Sequence, residues 1–307
     1  MVKELSWLNY EPQPLRKCTW KPDKSTIELK GTIIAIHGLG VHSELAFHYL
    51  GPFMADRNWE VIAIDLPGFG NWKPREDRLK KKHWPMIQPA IKALVDDVKK
   101  NTKNNPIVML GSSLGGLLCT QYIIEKNNED SGEIDGAILL VPALGNVSLP
   151  WYKWIGVALL LLFYPNFRLK MENYMHLQSK DPDSIILKPD PLALEHISLN
   201  FLYQLFKLMN KVGLRGKGYE KWNSQVPVFV ATAGEDTFVK RNHVKEFVQK
   251  MPESMVKEYR HYPESSHGML YERIRDEIFN DIFKFLEKNR LTVHKFVYLN
   301  NRLFRNA

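Results

Sequence analysis

The chain is poor in cysteine, since Cys18 and Cys119 are the only two among 307 residues and lie far apart. Two distant cysteines provide neither a disulfide framework nor the closely spaced ligands of a structural metal site. Small disulfide-rich domains and zinc modules are therefore excluded. Cys119 lies in an apolar segment, which predicts a small core residue rather than a reactive thiol.

Long apolar runs are also lacking. The first ten residues contain no sustained apolar stretch and no small-residue cleavage site, which predicts no signal peptide and a cytoplasmic protein. The longest apolar segment, 151–164, is bounded by Pro150 and Pro165 and interrupted by Lys153. It is shorter than the roughly 20 residues that a membrane-spanning helix needs. We expect a buried or interfacial helix there.

No internal repeat, low-complexity tract or nucleic-acid-binding motif is present. The formal net charge of +8 nevertheless predicts attraction to an anionic surface, either a membrane or a nucleic acid. Basic residues alternate with acidic ones in the predicted helices, so we expect no nucleic-acid partner. The charge run at residues 78–82 is expected to be a solvated face.

What the sequence does contain is an alternation of apolar strands and amphipathic helices. Continuous apolar strands separated by helices predict an α/β fold with a mostly parallel sheet covered on both faces. In such sheets the functional loops follow the carboxyl ends of the strands. We expect strands at residues 31–36, 59–64, 106–110, 134–141, 226–232 and 256–262. We expect helices at residues 44–55, where Ser43 would be the N-cap, 85–100 and 238–251.

Residues 144–223 interrupt this alternation, because they are helix-rich and aromatic and contain no obvious core strand. We interpret them as a helical lid inserted between the fourth and fifth predicted strands. The domain prediction is a core of residues 1–143 and 224–290, the lid at 144–223 and a basic C-terminal tail at 291–307.

The segment around Ser113 carries the clearest chemical signal. Gly111, Ser113 and Gly115 form a G-x-S-x-G pattern between an apolar strand and a helix. That context is typical of a nucleophile elbow, where a serine is presented on a strained turn and glycines allow close backbone approach. Ser113 is the candidate nucleophile and the Leu114 N–H a candidate oxyanion donor. The alternative is a glycine-rich turn without chemistry.

A serine nucleophile needs a base and a group that orients the base, and in this kind of fold they follow it in the order acid, histidine. Asp236 follows the fifth predicted strand and His267 follows the sixth. For Asp236 the alternative is a helix N-cap, and Glu235 competes for the orienting role. For His267 the alternative is a surface loop histidine.

The loop after the first predicted strand, His37-Gly38-Leu39-Gly40, is expected to supply the second oxyanion donor through the Leu39 N–H. His37 is expected to hold this loop by a ring hydrogen bond. Asp65 precedes the serine in sequence, and we expect it to brace its own loop.

These segments together resemble the α/β-hydrolases of the monoacylglycerol lipase, lysophospholipase and serine-aminopeptidase-like group. The segments that carry the resemblance are residues 37–43, 65–70, 111–116, 234–236 and 266–268. The resemblance implies a triad of Ser113, Asp236 and His267, with Leu39 and Leu114 as oxyanion donors. Phe69 and Ser112 stand where this group usually has histidines, which removes no catalytic group but weakens an assignment to one substrate.

The predicted lid bears on the substrate. Its apolar residues are expected to face the cleft or a membrane, and its lysines would favour an anionic lipid surface. The predicted substrate contacts are Trp151, Trp154, Leu159, Phe163, Phe201 and Leu205. The alternative is that these side chains form the core of the lid.

The function predicted from sequence is hydrolysis of carboxylic esters with long acyl chains, such as a monoacylglycerol or a lysophospholipid, through an acyl-enzyme. This chemistry requires no metal or organic cofactor. The expected partners are a lipid-like ester and, through the lid, the surface of an anionic membrane. A thioesterase or aminopeptidase with the same triad, and a non-catalytic binding protein of the same fold, remain as alternatives.

Overall fold

The computed structural model of the protein describes residues 1–23, 28–74, 76, 78–102, 105–126, 132–146, 151–164, 167–171, 178–289 and 291, with the backbone alone at 151–155 and 157. Residues 292–307 of the predicted tail at 291–307 lie outside these residues, as do the Pro150 and Pro165 boundaries.

A mixed eight-stranded sheet forms the centre of the fold, in the order β1-β2-β4-β3-β5-β6-β9-β10. The strands are β1 Val2–Leu8, β2 Leu15–Lys21, β3 Gly31–Ile36, β4 Trp59–Ile64, β5 Ile107–Ser112, β6 Gly136–Leu140, β7 Arg168–Lys170, β8 His196–Ser198, β9 Val228–Ala233 and β10 Lys257–Tyr262. The six strands from β4 to β10 in this order pair in parallel, whereas β1 and β2 form an antiparallel edge. The predicted α/β class and its six core strands are confirmed.

Two apolar layers cover the sheet. Ile34 and Ile62 point into one layer, and their neighbours Ile33 and Val61 point into the other. Because successive strand residues face opposite sides, strands buried on both sides must be apolar at nearly every position. The continuous apolar runs of the sequence therefore correspond to the doubly covered strands.

The described helices are α1 Ser43–Ala46, α2 Leu50–Ala55, α3 Ile87–Asn101, α4 Leu114–Lys126, α5 Trp151–Phe163, α6 Leu199–Val212, α7 Arg241–Gln249 and α8 Arg275–Lys288. A 3₁₀ helix over Lys81–Met86 precedes α3. The apolar stripe predicted for α3, which includes Ile91 and Leu94, is buried. Helices α3, α4, α6 and α7 contribute to one apolar layer, and α1, α2 and α8 to the other.

Three helix boundaries differ from prediction. The expected helix at 44–55 is two short helices, and the Ser43 hydroxyl donates to Asp65 instead of capping a helix. The expected helix at 85–100 begins as 3₁₀ structure that contains Pro85, so α3 itself begins at Ile87. The third helix begins at Arg241, because the Phe238 and Val239 N–H groups donate to Asp236.

The segment between β6 and β9 contains α5, a two-stranded sheet of β7 and β8, and α6. Helix α6 is amphipathic, and Phe201, Leu205 and Leu208 on its apolar face join the core layer. In contrast, Leu162 and Phe163 at the end of α5 are 71% and 69% exposed. No helix in the described part of the chain is long and apolar enough to cross a bilayer.

Candidate active site

Ser113 occupies a strained turn between β5 and α4. Its φ of 55° is in the left-handed region, which costs free energy for a residue with a side chain. The neighbouring loop after β6 holds this conformation. The Ser113 N–H donates to the Leu140 carbonyl at 2.9 Å, and the Ser113 carbonyl accepts from the Ala143 N–H at 3.1 Å and the Leu117 N–H at 3.2 Å.

The glycines on either side of this turn allow three backbone segments to meet. A Cβ atom on Gly111 would lie 2.4 Å from the Gly115 carbonyl carbon, and one on Gly115 would lie 2.0 Å from the Ile36 carbonyl oxygen. Contacts this short are impossible for a real side chain, so only glycine fits at either position. The turn therefore holds the serine beside the end of β3.

A chain of two hydrogen bonds joins the three predicted triad residues. His267 Nε2 is 2.8 Å from Ser113 Oγ, and His267 Nδ1 is 2.8 Å from Asp236 Oδ2. A carboxylate oxygen can only accept, so the proton lies on Nδ1 and Nε2 is left to accept from the serine hydroxyl. His267 is 3% exposed, and the ring of Phe238 lies edge-on to it at 5.0 Å. This arrangement can draw a proton from the serine.

The two neighbouring acids have different partners. Asp236 Oδ1 accepts from the Phe238 and Val239 N–H groups at 2.8 and 2.9 Å, which fixes the carboxylate while Oδ2 faces His267. The turn-forming role of Asp236 and the contact with the histidine therefore coexist. Glu235 instead forms an exposed ion pair with Lys180 at 2.7 Å. The geometry brings Asp236, and not Glu235, to the histidine.

The loop after β3 lies against the serine turn, since a Cβ atom on Gly38 would be 3.4 Å from Ser113 Cβ. His37 accepts from the Leu66 N–H at Nε2, 3.1 Å away, so its Nδ1 carries the proton and donates to the Gly38 carbonyl at 2.8 Å. Burial lowers the pKa of His37 to about 4, which keeps the ring neutral near pH 7.

The His37 bond also sets the direction of the Leu39 N–H. The Gly38 carbonyl and the Leu39 N–H belong to one trans peptide unit and point in opposite directions. Because the carbonyl points at the His37 ring, the N–H points away from it. The other predicted donor, Leu114, opens α4, where the first N–H groups have no acceptor within the helix.

Asp65 and Phe69 contact residues of these loops and help to hold them in place. Asp65 is buried and accepts from the Ser43 N–H at 3.0 Å and the Asn71 N–H at 2.9 Å, so it braces its own loop as expected. Phe69 packs edge-on against His37 at 4.9 Å and against Phe201 at 5.8 Å. At the position where the resemblance leads one to expect a histidine, this chain has a core aromatic.

Glu272 is a buried residue that the sequence argument missed. Its Oε2 accepts from the Ser266 N–H at 2.9 Å and the Ser265 hydroxyl at 3.0 Å, and its Oε1 contacts the Ser266 hydroxyl and accepts from the Ser179 hydroxyl at 3.3 Å. Within the described part of the chain no cation lies within ion-pair distance of it. A buried carboxylate is tolerated only when it is well hydrogen-bonded, and these bonds hold the loop just before His267. The sequence signal that could have indicated this role is a glutamate five residues after His267, preceded by three apolar residues.

The insertion between β6 and β9 is hydrogen-bonded to the same loops. The Gln178 carbonyl accepts from the Gly268 N–H at 2.5 Å and lies 2.8 Å from the Ser266 hydroxyl. The Leu194 N–H donates to the Gly40 carbonyl at 3.0 Å, and His42 donates to Asp190 at 2.9 Å. The insertion therefore contacts both the histidine loop and the loop after β3.

The predicted substrate contacts whose side chains the structure describes lie in two different environments. Phe201 has no exposed surface and Leu205 is 7% exposed, and both belong to the core layer in this structure. Leu159 and Phe163 are exposed on α5. The side chains of Trp151 and Trp154 lie outside the described residues.

Comparisons with known proteins show the family and the fold of the chain. The model of the serine aminopeptidase S33 family matches residues 27–274. Monoglyceride lipase from Saccharomyces cerevisiae is 24% identical over 317 residues, covering 96% of both chains. Phospholipase YtpA from Bacillus subtilis is 24% identical over 264 residues, covering 85% of this chain and 95% of its own length.

Solved structures show the same fold. A soluble variant of the Saccharomyces cerevisiae monoglyceride lipase, in complex with a substrate analogue, superposes with a TM-score of 0.79 at 21% identity, covering 94% of this chain and 96% of its own. The monoacylglycerol lipase of Paleococcus ferrophilus gives 0.69 at 19% identity, covering 90% of this chain and 99% of its own. The chain belongs to the serine aminopeptidase S33 family of α/β-hydrolases, and it is a carboxylic ester hydrolase.

Proposed function

We propose that this chain hydrolyses long-chain acyl esters of the monoacylglycerol or lysophospholipid type through an acyl-enzyme on Ser113. The observation that carries the proposal is the hydrogen-bond chain from Ser113 through His267 to Asp236, with both bonds at 2.8 Å. The names of the relatives, a monoglyceride lipase and a phospholipase, support a lipid ester as the substrate.

In the first half of the reaction, Ser113 Oγ attacks the ester carbonyl carbon while its proton passes to His267 Nε2. The negative charge that develops on the carbonyl oxygen is held by the Leu39 and Leu114 N–H groups. The tetrahedral intermediate then collapses, the alcohol leaves with the proton from Nε2, and the acyl group stays on Ser113. Asp236 keeps the imidazole oriented and stabilises its charged form.

In the second half, water attacks the acyl-enzyme and gives its proton to His267 Nε2. The second tetrahedral intermediate releases the fatty acid, and the proton returns to Ser113 Oγ. No step needs a metal ion or an organic cofactor.

The exposed part of the insertion supports a lipid substrate. Leu159, Leu162 and Phe163 lie on one face of α5, since they are spaced three and four residues apart, and Phe167 follows the helix. All four side chains are exposed, and we call them together the apolar patch. Clustered exposed apolar residues of this kind mark contact surfaces for lipid or protein. Peripheral association with a membrane through this patch is part of the proposal.

Two lysines of the insertion are paired with acidic side chains, which reduces their attraction for an anionic lipid surface. Lys211 pairs with Glu125 at 2.8 Å, and Lys217 pairs with Glu220 at 3.2 Å. Exposed pairs of this kind contribute little to stability, but each places a negative charge beside the lysine.

The test combines labelling with an activity series. A fluorophosphonate should label the wild type and the neighbouring Ser112→Ala variant but not Ser113→Ala. We expect Ser113→Ala to lower kcat by on the order of 10⁶ without a change in thermal unfolding. Hydrolysis rates are then measured for esters with acyl chains from acetyl to long-chain, and for acyl-CoA and peptide amides. The compounds that are hydrolysed fastest define the substrate class. A strong preference for acetyl esters or for amides would reject the lipid-ester proposal. Labelling of Ser113→Ala to the same extent as the wild type would reject Ser113 as the nucleophile.

A further inference from the structure

Arg16, on β2, makes polar contacts around the loop after β3 that the mechanism above does not use. Its Nη2 atom donates to His42 Nδ1 at 3.0 Å and lies 3.1 Å from Glu44, and its Nε atom lies 3.2 Å from Asp65. The Arg16 side chain is 12% exposed, and His42 is 3% exposed. The other ring nitrogen of His42 lies 2.9 Å from Asp190 of the insertion. Strand β2, this loop and the insertion are therefore joined through a buried histidine.

These contacts select one tautomer of the His42 ring. A guanidinium can only donate, so His42 Nδ1 is the unprotonated acceptor and the ring proton lies on Nε2. Nε2 then donates to Asp190 Oδ2, which can only accept. With the proton on Nδ1 instead, both hydrogen bonds would be lost, because two donors would meet at Arg16 and two acceptors at Asp190. His267 has the opposite tautomer, which Asp236 selects.

Asp190 is itself held in place within the insertion. Its Oδ1 accepts from the Leu192 N–H at 2.7 Å, while Oδ2 faces His42. Burial by itself raises the pKa of Asp190, but the hydrogen bonds from His42 and the Leu192 N–H outweigh it, so the pKa lies below its ordinary value. Nearby, the Leu194 N–H donates to the Gly40 carbonyl at 3.0 Å. The insertion therefore holds the loop after β3 at both Gly40 and His42.

The loop held in this way is the one that carries Leu39. Gly40 and His42 lie one and three residues after Leu39 in the sequence. Before Leu39, the His37 ring fixes the Gly38 carbonyl. The Leu39 N–H therefore lies between two histidines whose rings are both hydrogen-bonded. Because a misplacement of about 1 Å can cost on the order of 10²-fold in rate, the position of this loop bears on the stabilisation of an oxyanion.

We propose that Arg16 and His42 are positioning residues for ester hydrolysis. Arg16 selects the tautomer of His42 that ties the insertion, through Asp190, to the loop that presents the Leu39 N–H. The oxyanion donor is then in place only when this part of the insertion is seated on the core. The inference deepens the proposed function, because it rests on Leu39 as an oxyanion donor, and it acts through the loop and not through the triad.

The test replaces His42 in two ways and measures the kinetics of the full chain with a soluble ester, per active site titrated with a phosphonate. His42→Leu removes both hydrogen bonds. In His42→Gln the amide oxygen can accept from Arg16 and the amide N–H can donate to Asp190. We expect His42→Leu to lower kcat by on the order of 10²-fold while KM stays within about twofold, because the oxyanion develops only in the transition state.

His42→Gln should recover kcat to within about fivefold of the wild type, since it keeps both hydrogen bonds. The matched control is His48→Leu, which replaces an exposed histidine of the same segment and should stay within about twofold of the wild type.

Asp190→Ala breaks the same link from the insertion, and it carries the test if His42→Leu does not fold. The Asp190 side chain is 22% exposed, so its removal disturbs the packing less than a change at His42. We expect kcat to fall by about tenfold, and the variant with both changes to lose no more than His42→Leu alone, because the two residues act through one hydrogen bond. The control Asp183→Ala removes an acid of the insertion that is 83% exposed and should stay within about twofold of the wild type.

The tautomer has a readout of its own. In nitrogen NMR spectra of histidine-labelled protein, the His42 signals are those that disappear in His42→Gln, and they should show the proton on Nε2. In Arg16→Met both tautomers should be populated, because the donor that excludes a proton from Nδ1 is gone.

A kcat of His42→Leu or Asp190→Ala within about twofold of the wild type would overturn the inference. So would equal losses in His42→Leu and His42→Gln, a loss confined to the number of titratable sites or to thermal unfolding, or a wild-type His42 with its proton on Nδ1. Failure of the proposed function would appear instead in the wild type, as absent labelling of Ser113 or a preference for acetyl esters or amides, so the two failures are distinguishable.

Discussion

In the insertion between β6 and β9, residues 151–171 and residues 178–223 lie in different surroundings. The first part, which we call the outer half, contains α5 and presents exposed leucine and phenylalanine side chains. The second part, the inner half, contains α6, whose apolar face lies in the core layer. The inner half also bonds to the loops that carry His267 and Leu39.

This difference means that the insertion is not one uniform cover over the site. Moving the inner half would break hydrogen bonds to the histidine loop and remove Phe201 from its aromatic neighbours. Moving α5 alone would leave the pairing of β7 with β8 intact and would displace the ends of side chains, such as Leu162 and Phe163, that are already exposed. We infer that contact with lipid belongs to the outer half, and support of the active site to the inner half.

The largest effect within this comparison concerns two adjacent acids: Asp236 belongs to the proposed triad, and Glu235 pairs with Lys180 of the inner half. Asp236→Asn should lower kcat by on the order of 10⁴, because the imidazole loses the acceptor that fixes its tautomer. Glu235→Gln removes only an exposed pair with Lys180 and should change kcat by less than about threefold. Steady-state kinetics with a soluble ester measures both. Equal losses would refute the assignment of the acid.

The next effect compares two phenylalanines, one in each half. Phe201→Ala should lower the free energy of unfolding by about 3–5 kcal/mol, because a large buried ring is replaced by a cavity. Phe163→Ala removes an exposed ring and should change it by no more than about 0.5 kcal/mol. Urea denaturation measures both values. Similar losses would show that the two halves are equally packed.

A smaller effect concerns support of the histidine loop. Glu272→Gln keeps the size of the side chain but places an amide among hydroxyl and N–H donors, so His267 should shift relative to Ser113. A misplacement of about 1 Å can cost on the order of 10²-fold in kcat. The matched control is Glu277→Gln, on the exposed face of α8.

Rates for Glu272→Gln should be expressed per active site titrated with a phosphonate, and measured across pH. If Glu272 positions the histidine, kcat falls per titrated site and the apparent pKa of the pH–rate profile moves. A loss confined to the number of titratable sites or to thermal stability would mean that Glu272 only stabilises the fold.

The smallest expected effect tests the outer half directly. Replacing both Leu162 and Phe163 with serine should weaken binding to phosphatidylcholine vesicles by about tenfold, because less apolar side-chain area is removed from water when the protein binds. The matched control replaces Leu5 and Trp7, which are 55% and 58% exposed on edge strand β1. If both pairs reduce vesicle binding alike, the apolar patch has no special role.

The sequence was informative about the sheet because doubly covered strands must be apolar at nearly every position. Five of the six predicted strands are present for that reason, whereas β10 is an edge strand with charged residues in which only Tyr262 is buried. Strand β1 escaped prediction because it is an edge strand with Leu5 and Trp7 exposed, and its polar and apolar residues form no continuous run. The helix boundaries failed where a side chain took backbone partners, as Asp236 does before α7.

For the candidate site, the order of Ser113, Asp236 and His267 on strand-end loops was enough to predict that they would meet, and their side chains do lie within hydrogen-bonding distance. The role of Glu272 was harder to predict, because Ser265 and Ser266 are near it in sequence but its third partner, Ser179, is distant. Phe201 and Leu205 were placed on the substrate path because apolar composition cannot distinguish the buried face of α6 from a cleft wall.

The contacts of Leu194 and Asp190 have a consequence for protein engineering. Exchanging the whole insertion with that of a relative would replace both the backbone that donates to the Gly40 carbonyl and the Asp190 side chain that accepts from His42. Such an exchange therefore acts directly on the loop that carries Leu39. An exchange confined to α5 leaves both bonds intact. The useful junctions for chimaeric enzymes in this fold therefore lie within the insertion, and not at its two ends.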